Sequence, residues 1–87
     1  MDKEITDRFI KDLETATSID FFEMRVKDLT MGGGFLPRNL DYLRSQTVRK
    51  NIKKLEMDIA SSSQKDYSKM RQDQLDDIKI KYAHLLS

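Results

Sequence analysis

Leu29-Thr30-Met31-Gly32-Gly33-Gly34-Phe35-Leu36-Pro37-Arg38-Asn39-Leu40 is the stretch on which the fold turns. Three consecutive glycines cost about 2–3 kcal/mol inside a helix, so a helix that reaches Met31 ends there. Pro37 then pushes Leu36 out of the helical region of backbone space. Asn39 is a residue type that caps helix N-termini, and it predicts a fresh start at Leu40. Before the glycines, Ile19, Phe22, Val26 and Leu29 recur at spacings of three, four and three, which is one face of a helix. After them, Leu40, Leu43, Thr47, Val48, Ile52, Leu55 and Ile59 carry a longer stripe to about Ala60. Two helices joined by a short connection pack as antiparallel neighbours. The expectation is a helical hairpin, 19–31 against 39–60.

Outward from the hairpin the same period continues. Ile5, Phe9, Leu13 and Ala16 mark an N-terminal helix within 1–16. Thr17 and Ser18 interrupt it, and Thr17-x-x-Asp20 has the form of a capping box that restarts the chain as a helix. The first two segments are thus one bent helix or two. Ser61-Ser62-Ser63 breaks the long helix, Ser63-x-x-Asp66 offers a cap, and a C-terminal helix within 63–86 shows Tyr67, Met70, Leu75, Ile78, Tyr82 and Leu85. No stretch alternates apolar and polar residues as a strand does. The sequence reads as a single all-α domain, 1–87, with helices added at both ends of the hairpin.

Composition narrows the function. A chain of 87 residues buries only about 60–65% of its unfolded surface, and its core alone gives marginal stability. Disulfides, metals or a partner are the usual supports. Cysteine is absent and there is one histidine, so disulfides, thiolate zinc sites and a cysteine nucleophile are excluded. No cofactor or metal is expected, which leaves a partner. No apolar run approaches the roughly 20 residues that span a bilayer, so no membrane role is expected. The start, Met1 to Thr6, has the pattern of neither a signal peptide nor a transit peptide.

Nothing in the chain builds an active site. Gly32-Gly33-Gly34 follows no strand and precedes no Gly-Lys-Ser/Thr, so it is a turn and not a phosphate loop. His84 has no nucleophile or carboxylate at a useful spacing, and the serine run lacks the Gly-x-Ser-x-Gly elbow. Asp76 and Asp77 are adjacent on a helix and point apart. The expectation is a protein that binds, without a small-molecule substrate, and is not an enzyme.

Charge indicates where. The net charge is +1, but its distribution is uneven. Residues 1–24 are acidic and residues 55–87 nearly neutral. Residues 25–54 hold Arg25, Lys27, Arg38, Arg44, Arg49, Lys50, Lys53 and Lys54 against only Asp28 and Asp41. Such a basic middle is the footprint of a polyanion contact. Arg49, Lys50, Lys53 and Lys54 lie off the apolar stripe, paired at i,i+4 in a mildly unfavourable way that an anion relieves. Asp41, Glu56 or the N-terminal segment are the acids within the chain that offer the same relief.

The basic stretch also carries a resemblance. Met24-Arg25-Val26-Lys27, Thr30-Met31-Gly32-Gly33, Leu43-Arg44, Val48-Arg49-Lys50-Asn51-Ile52-Lys53-Lys54 and Gln64-Lys65-Asp66 follow in order. Over roughly 19–66 they resemble the universal large-subunit ribosomal protein family L twenty-nine, called thirty-five in eukaryotes. That family is a two-helix hairpin whose second helix contacts ribosomal RNA near the polypeptide exit. The resemblance implies a structural ribosomal protein, on a cytoplasmic or organellar ribosome, with ribosomal RNA and neighbouring ribosomal proteins as partners. It implies that Arg25, Arg44, Arg49, Lys50, Lys53 and Lys54 touch RNA. The sequence departs from the family in a longer connector containing Pro37, Phe35 and Tyr42, in Lys53 where alanine is usual, and in a lower overall charge. The alternative is a helical adaptor or assembly factor, homodimeric or docked on a partner helix. It would use an exposed stripe of Tyr67, Met70, Leu75, Ile78 and Tyr82.

Overall fold

A computed structural model describes residues 1–86. Five helices follow in order: α1 (Lys3–Thr15), α2 (Ile19–Met31), α3 (Leu40–Ser61), α4 (Lys65–Lys81) and a last turn, α5 (Ala83–Leu86). No strand occurs among the described residues, and the fold is all-α.

α1 and α2 are separate helices, because Ala16 and Ser18 both adopt extended backbone between them. The cap of α2 is Ser18, not Thr17: its side-chain oxygen accepts from the Phe21 N–H at 3.5 Å. A second cap comes from far along the chain. The Ile19 N–H donates to Asn51 Oδ1 at 2.8 Å, so α3 terminates α2 as well as packing on it. α1 is capped by Asp2, whose carboxylate accepts from the Glu4 N–H at 3.0 Å. Asn39 precedes α3 but makes no side-chain cap bond. The cap expected from Ser63 is absent too; Gln64 holds the N-cap position of α4, and Ser62 Oγ accepts its N–H at 3.2 Å.

The glycine turn has a specific geometry. Gly33 takes a φ of +78°, a left-handed conformation that side chains resist, and the Gly34 N–H donates to the Leu29 carbonyl at 2.9 Å. A methyl group on Gly34 would stand 3.0 Å from Leu29 Cδ2 and 3.2 Å from Thr6 Oγ1, so the turn is pressed against α1 and α2.

The core gathers Leu13 and Ala16, Ile19, Phe22 and Leu29 of α2, Leu43 and Val48 of α3, and Tyr82. Leu55 and Leu75 are buried further along α3 and α4. α2 presents the stripe expected of it. α1 is rotated: Thr6 is buried and Ile5 exposed, with the Thr6 hydroxyl satisfied by the Asp2 carbonyl at 3.0 Å. Ile19 lies opposite Asn51 and Glu23 opposite Arg44, the opposed order of antiparallel neighbours. The most extensive packing of α3, however, is with α4. α2 has 13 residues against 22 in α3 and covers only part of it. α4 returns along the remainder, and Ser45 Oγ near the start of α3 donates to the Leu85 carbonyl at 3.2 Å. The molecule measures 46 × 25 × 18 Å, with α3 as its spine.

Candidate nucleic-acid interface

The six cations singled out by the resemblance fall into two groups. Arg44 is turned inward. Its Nε donates to Glu23 Oε1 at 2.7 Å, its Nη1 to Asp41 Oδ1 at 3.3 Å, and its guanidinium lies 5.7 Å from the Phe22 ring centroid. It clamps α3 to α2. Arg25 does the same for α2 and α1. Its guanidinium sits between Phe9, at 4.3 Å, and Phe21, at 5.1 Å, and it pairs with Asp28 at 3.2 Å. Its Nε also approaches Asp12 Oδ2 at 3.1 Å, an ion pair without hydrogen-bond alignment. Desolvated cation–π contacts and partly buried ion pairs hold helices together. Each arginine joins two helices and has its charge paired with carboxylates of the fold.

Arg49, Lys50, Lys53 and Lys54 behave differently. All four are exposed on α3, and none has a carboxylate within ion-pair distance among the described residues. Of the acids that might have relieved them, Asp41 is committed to Arg44, and Glu56 makes no ion pair. From Tyr42 to Leu55 the chain contains no acidic residue at all. The side of α3 away from the core is therefore a short basic strip of Arg49, Lys50 and Lys53, with Lys54 at its edge, where α3 turns toward α2 and α4. The buried residues Leu43, Thr47, Val48 and Leu55 fix its orientation, since any rotation of α3 would take them out of the core.

Tyr67, Met70, Leu75 and Ile78 of α4 and Tyr82 at its C-cap do not form an exposed stripe. Leu75 and Tyr82 are buried, Tyr67 and Ile78 are half-buried, and only Met70 is exposed. The apolar face of α4 packs against α3, which the expectation of an unpartnered C-terminal helix did not anticipate. Tyr82 lies where α2, α3 and the end of α4 converge. Burial raises its phenol above the usual value of 10.0; Glu23 and Asp20 add to the rise and Arg44 opposes it.

A cavity of about 440 Å³ opens between the start of α2, the middle of α3 and α4. Its floor includes Ile19, Leu55, Ile78 and Tyr82, and its rim mixes Lys54, Arg71 and Lys81 with Asp20, Asp58 and Asp77. Arg71 is held over the Tyr67 ring at 5.0 Å and donates to Gln74 Oε1 at 2.9 Å. With equal numbers of each charge, the cavity does not select anions as the α3 strip does. No cluster of metal-ligating side chains occurs among the described residues, and no helix is long and apolar enough to cross a membrane.

Sequence reasoning gave no role to Asn51 as a long-range cap, or to Asp12 and Glu23 as partners of the arginines. The i,i+3 acids Asp28 and Asp41, next to Arg25 and Arg44 in sequence, were the available signal. The chain matches no protein-family model, no curated protein and no solved structure.

Proposed function

We propose that this protein is a non-catalytic RNA-binding protein that engages phosphates through the exposed face of α3 with Arg49, Lys50, Lys53 and Lys54. The narrower reading is a structural protein of a large ribosomal subunit, cytoplasmic or organellar, contacting ribosomal RNA and adjacent ribosomal proteins. One observation carries the proposal: an acid-free helical strip with four exposed cations and no ion-pair partner among the described residues. The narrower reading rests on the resemblance over roughly residues 19–66, whose most specific piece is Val48 to Lys54.

The mechanism needs no turnover. Each cation that neutralises a phosphate releases condensed counterions, which drives association and makes it salt-dependent. Phosphates line paired and unpaired RNA alike, so α3 would read the backbone and not the base sequence. Arg44 and Arg25 act at one remove, by fixing α3 against α2 and α2 against α1. The acidic N-terminal segment spends Asp12 and Glu23 on these clamps, so part of its negative charge is already balanced within the fold.

Sedimentation of tagged protein from its native cells, at moderate and at high salt, tests the narrower reading. Stoichiometric co-sedimentation with the large subunit that survives moderate salt is the expected result. Migration as a small free species, or with another partner, would overturn it.

A further inference from the structure

On α3, Tyr42, Arg49 and Lys53 are spaced by seven and four residues, about two turns and one turn, and so fall on one line of the helix surface. All three are exposed, Tyr42 by 62%. Tyr42 precedes an acid-free run that ends at Glu56 on the same side of the helix. The strip thus runs about 16 Å from an aromatic ring to its last in-line cation. The Tyr42 ring makes no cation–π contact and its hydroxyl no hydrogen bond among the described residues, so both are open to a ligand. Tyr82 by contrast is buried, and Tyr67 is covered by Arg71.

We infer that Tyr42 is a base-stacking residue and that the α3 strip takes an unpaired stretch of RNA, with one base on the Tyr42 ring, the following phosphates on Arg49, Lys50 and Lys53, and Lys54 reaching them from the strip's edge. This rests on the RNA-binding reading above and narrows its ligand from RNA at large to single-stranded RNA. The chemistry favours that ligand for two reasons. A duplex keeps its bases stacked and presents only phosphates and groove edges, so an exposed aromatic ring at the end of the strip gains nothing from it. An unpaired base offers a π-face, and stacking on an aromatic side chain combines with a cationic groove in sequence-tolerant single-strand binders. Glu56 closes the strip at its far end, which limits the footprint to a few nucleotides. The Met31, Phe35 and Leu36 side chains are also exposed, but they lie outside α3.

The test is fluorescence anisotropy with labelled RNA of about twelve nucleotides, long enough for one site, as a single strand and as a blunt duplex. The wild type is expected to prefer the single strand. Tyr42→Ala is expected to weaken single-strand binding about ten-fold while changing duplex binding less than about two-fold. Tyr42→Phe is expected to bind like the wild type, since stacking needs the ring and not the hydroxyl. Equal thermal midpoints for the three proteins show that the fold is intact, as the exposure of Tyr42 predicts. If Tyr42→Ala alters neither affinity, or both equally, while loss of the four cations abolishes binding, the stacking role is overturned and RNA binding stands. If the wild type binds neither RNA, both readings fail and the exposed ring is left for a protein partner.

Discussion

Arg44 and Arg49 are five residues apart on α3 and look alike in sequence, yet alanine at each should produce opposite results. Arg44→Ala removes a 2.7 Å charge-assisted bond to Glu23, a second bond to the 88% exposed Asp41, and the Phe22 contact. A hydrogen bond to a charged group contributes about 1.5–3 kcal/mol when buried. Glu23 is 38% exposed, so solvent screening lowers this toward about 1 kcal/mol, and the Asp41 pair adds little. The cation–π contact contributes about 0.5–1 kcal/mol more. The expected loss is about 2 kcal/mol, and at about 4–8 °C per kcal/mol for a chain of this size the midpoint falls by roughly 10 °C. Arg49→Ala should alter stability by less than about 0.5 kcal/mol. A small gain is expected there, because the like-charge spacing to Lys53 is relieved. For RNA the order reverses: Arg49→Ala should flatten the dependence of log affinity on log salt by about 0.7, while folded Arg44→Ala retains the wild-type slope. Calorimetric melting and a salt titration on the same preparations decide it. An unchanged midpoint for Arg44→Ala together with a flattened salt slope would refute the division into clamp and contact residues.

Asn51→Ala strands the buried Ile19 N–H and should cost about 1–3 kcal/mol, read by denaturant unfolding, with the earliest loss of amide protection at the start of α2. Gly33→Ala forces a side chain onto a φ of +78° and should cost about 1–2 kcal/mol, while Gly34→Ala should cost about 1–3 kcal/mol by crowding Leu29 and Thr6. Tyr82 holds its phenolic proton more tightly folded than unfolded, so its contribution to stability is complete below pH 10.0 and is lost as pH rises through its folded value. Melting between about pH 8 and 11 should therefore show the wild type losing stability faster than Tyr82→Phe at the alkaline end; parallel curves would contradict this.

Much of the helix plan is legible from period and punctuation. The α2 and α3 stripes and the glycine stop place both helices within a residue or two, since a three-glycine break leaves a helix little latitude. The α1 face is misjudged by one position because Thr6 satisfies its own hydroxyl on the preceding turn and can then enter the core, leaving Ile5 outside. Thr6 also lies against the glycine turn, a tertiary contact that local pattern does not reveal. Which helix pairs most closely with α3 was not legible either: α2 is too short to cover it, and α4 reaches it only because the serine break turns the chain back. For the site, the basic run was visible, but composition alone does not separate Arg25 and Arg44 from the other four. Their partners Asp12 and Glu23 sit on neighbouring helices, and only tertiary packing brings them together.

The most direct measurement of the central claim is the salt dependence of affinity for single-stranded RNA, for the wild type and for the Arg49→Ala/Lys50→Ala/Lys53→Ala/Lys54→Ala variant. Four phosphate contacts predict a slope near −2.8 in log affinity against log salt, or roughly a fifty-fold loss between about 50 and 200 mM. The variant should fold normally and give a slope close to zero with little residual binding. A wild-type slope near zero, or a variant that binds as the wild type does, would contradict the assignment of α3 as the RNA-binding face.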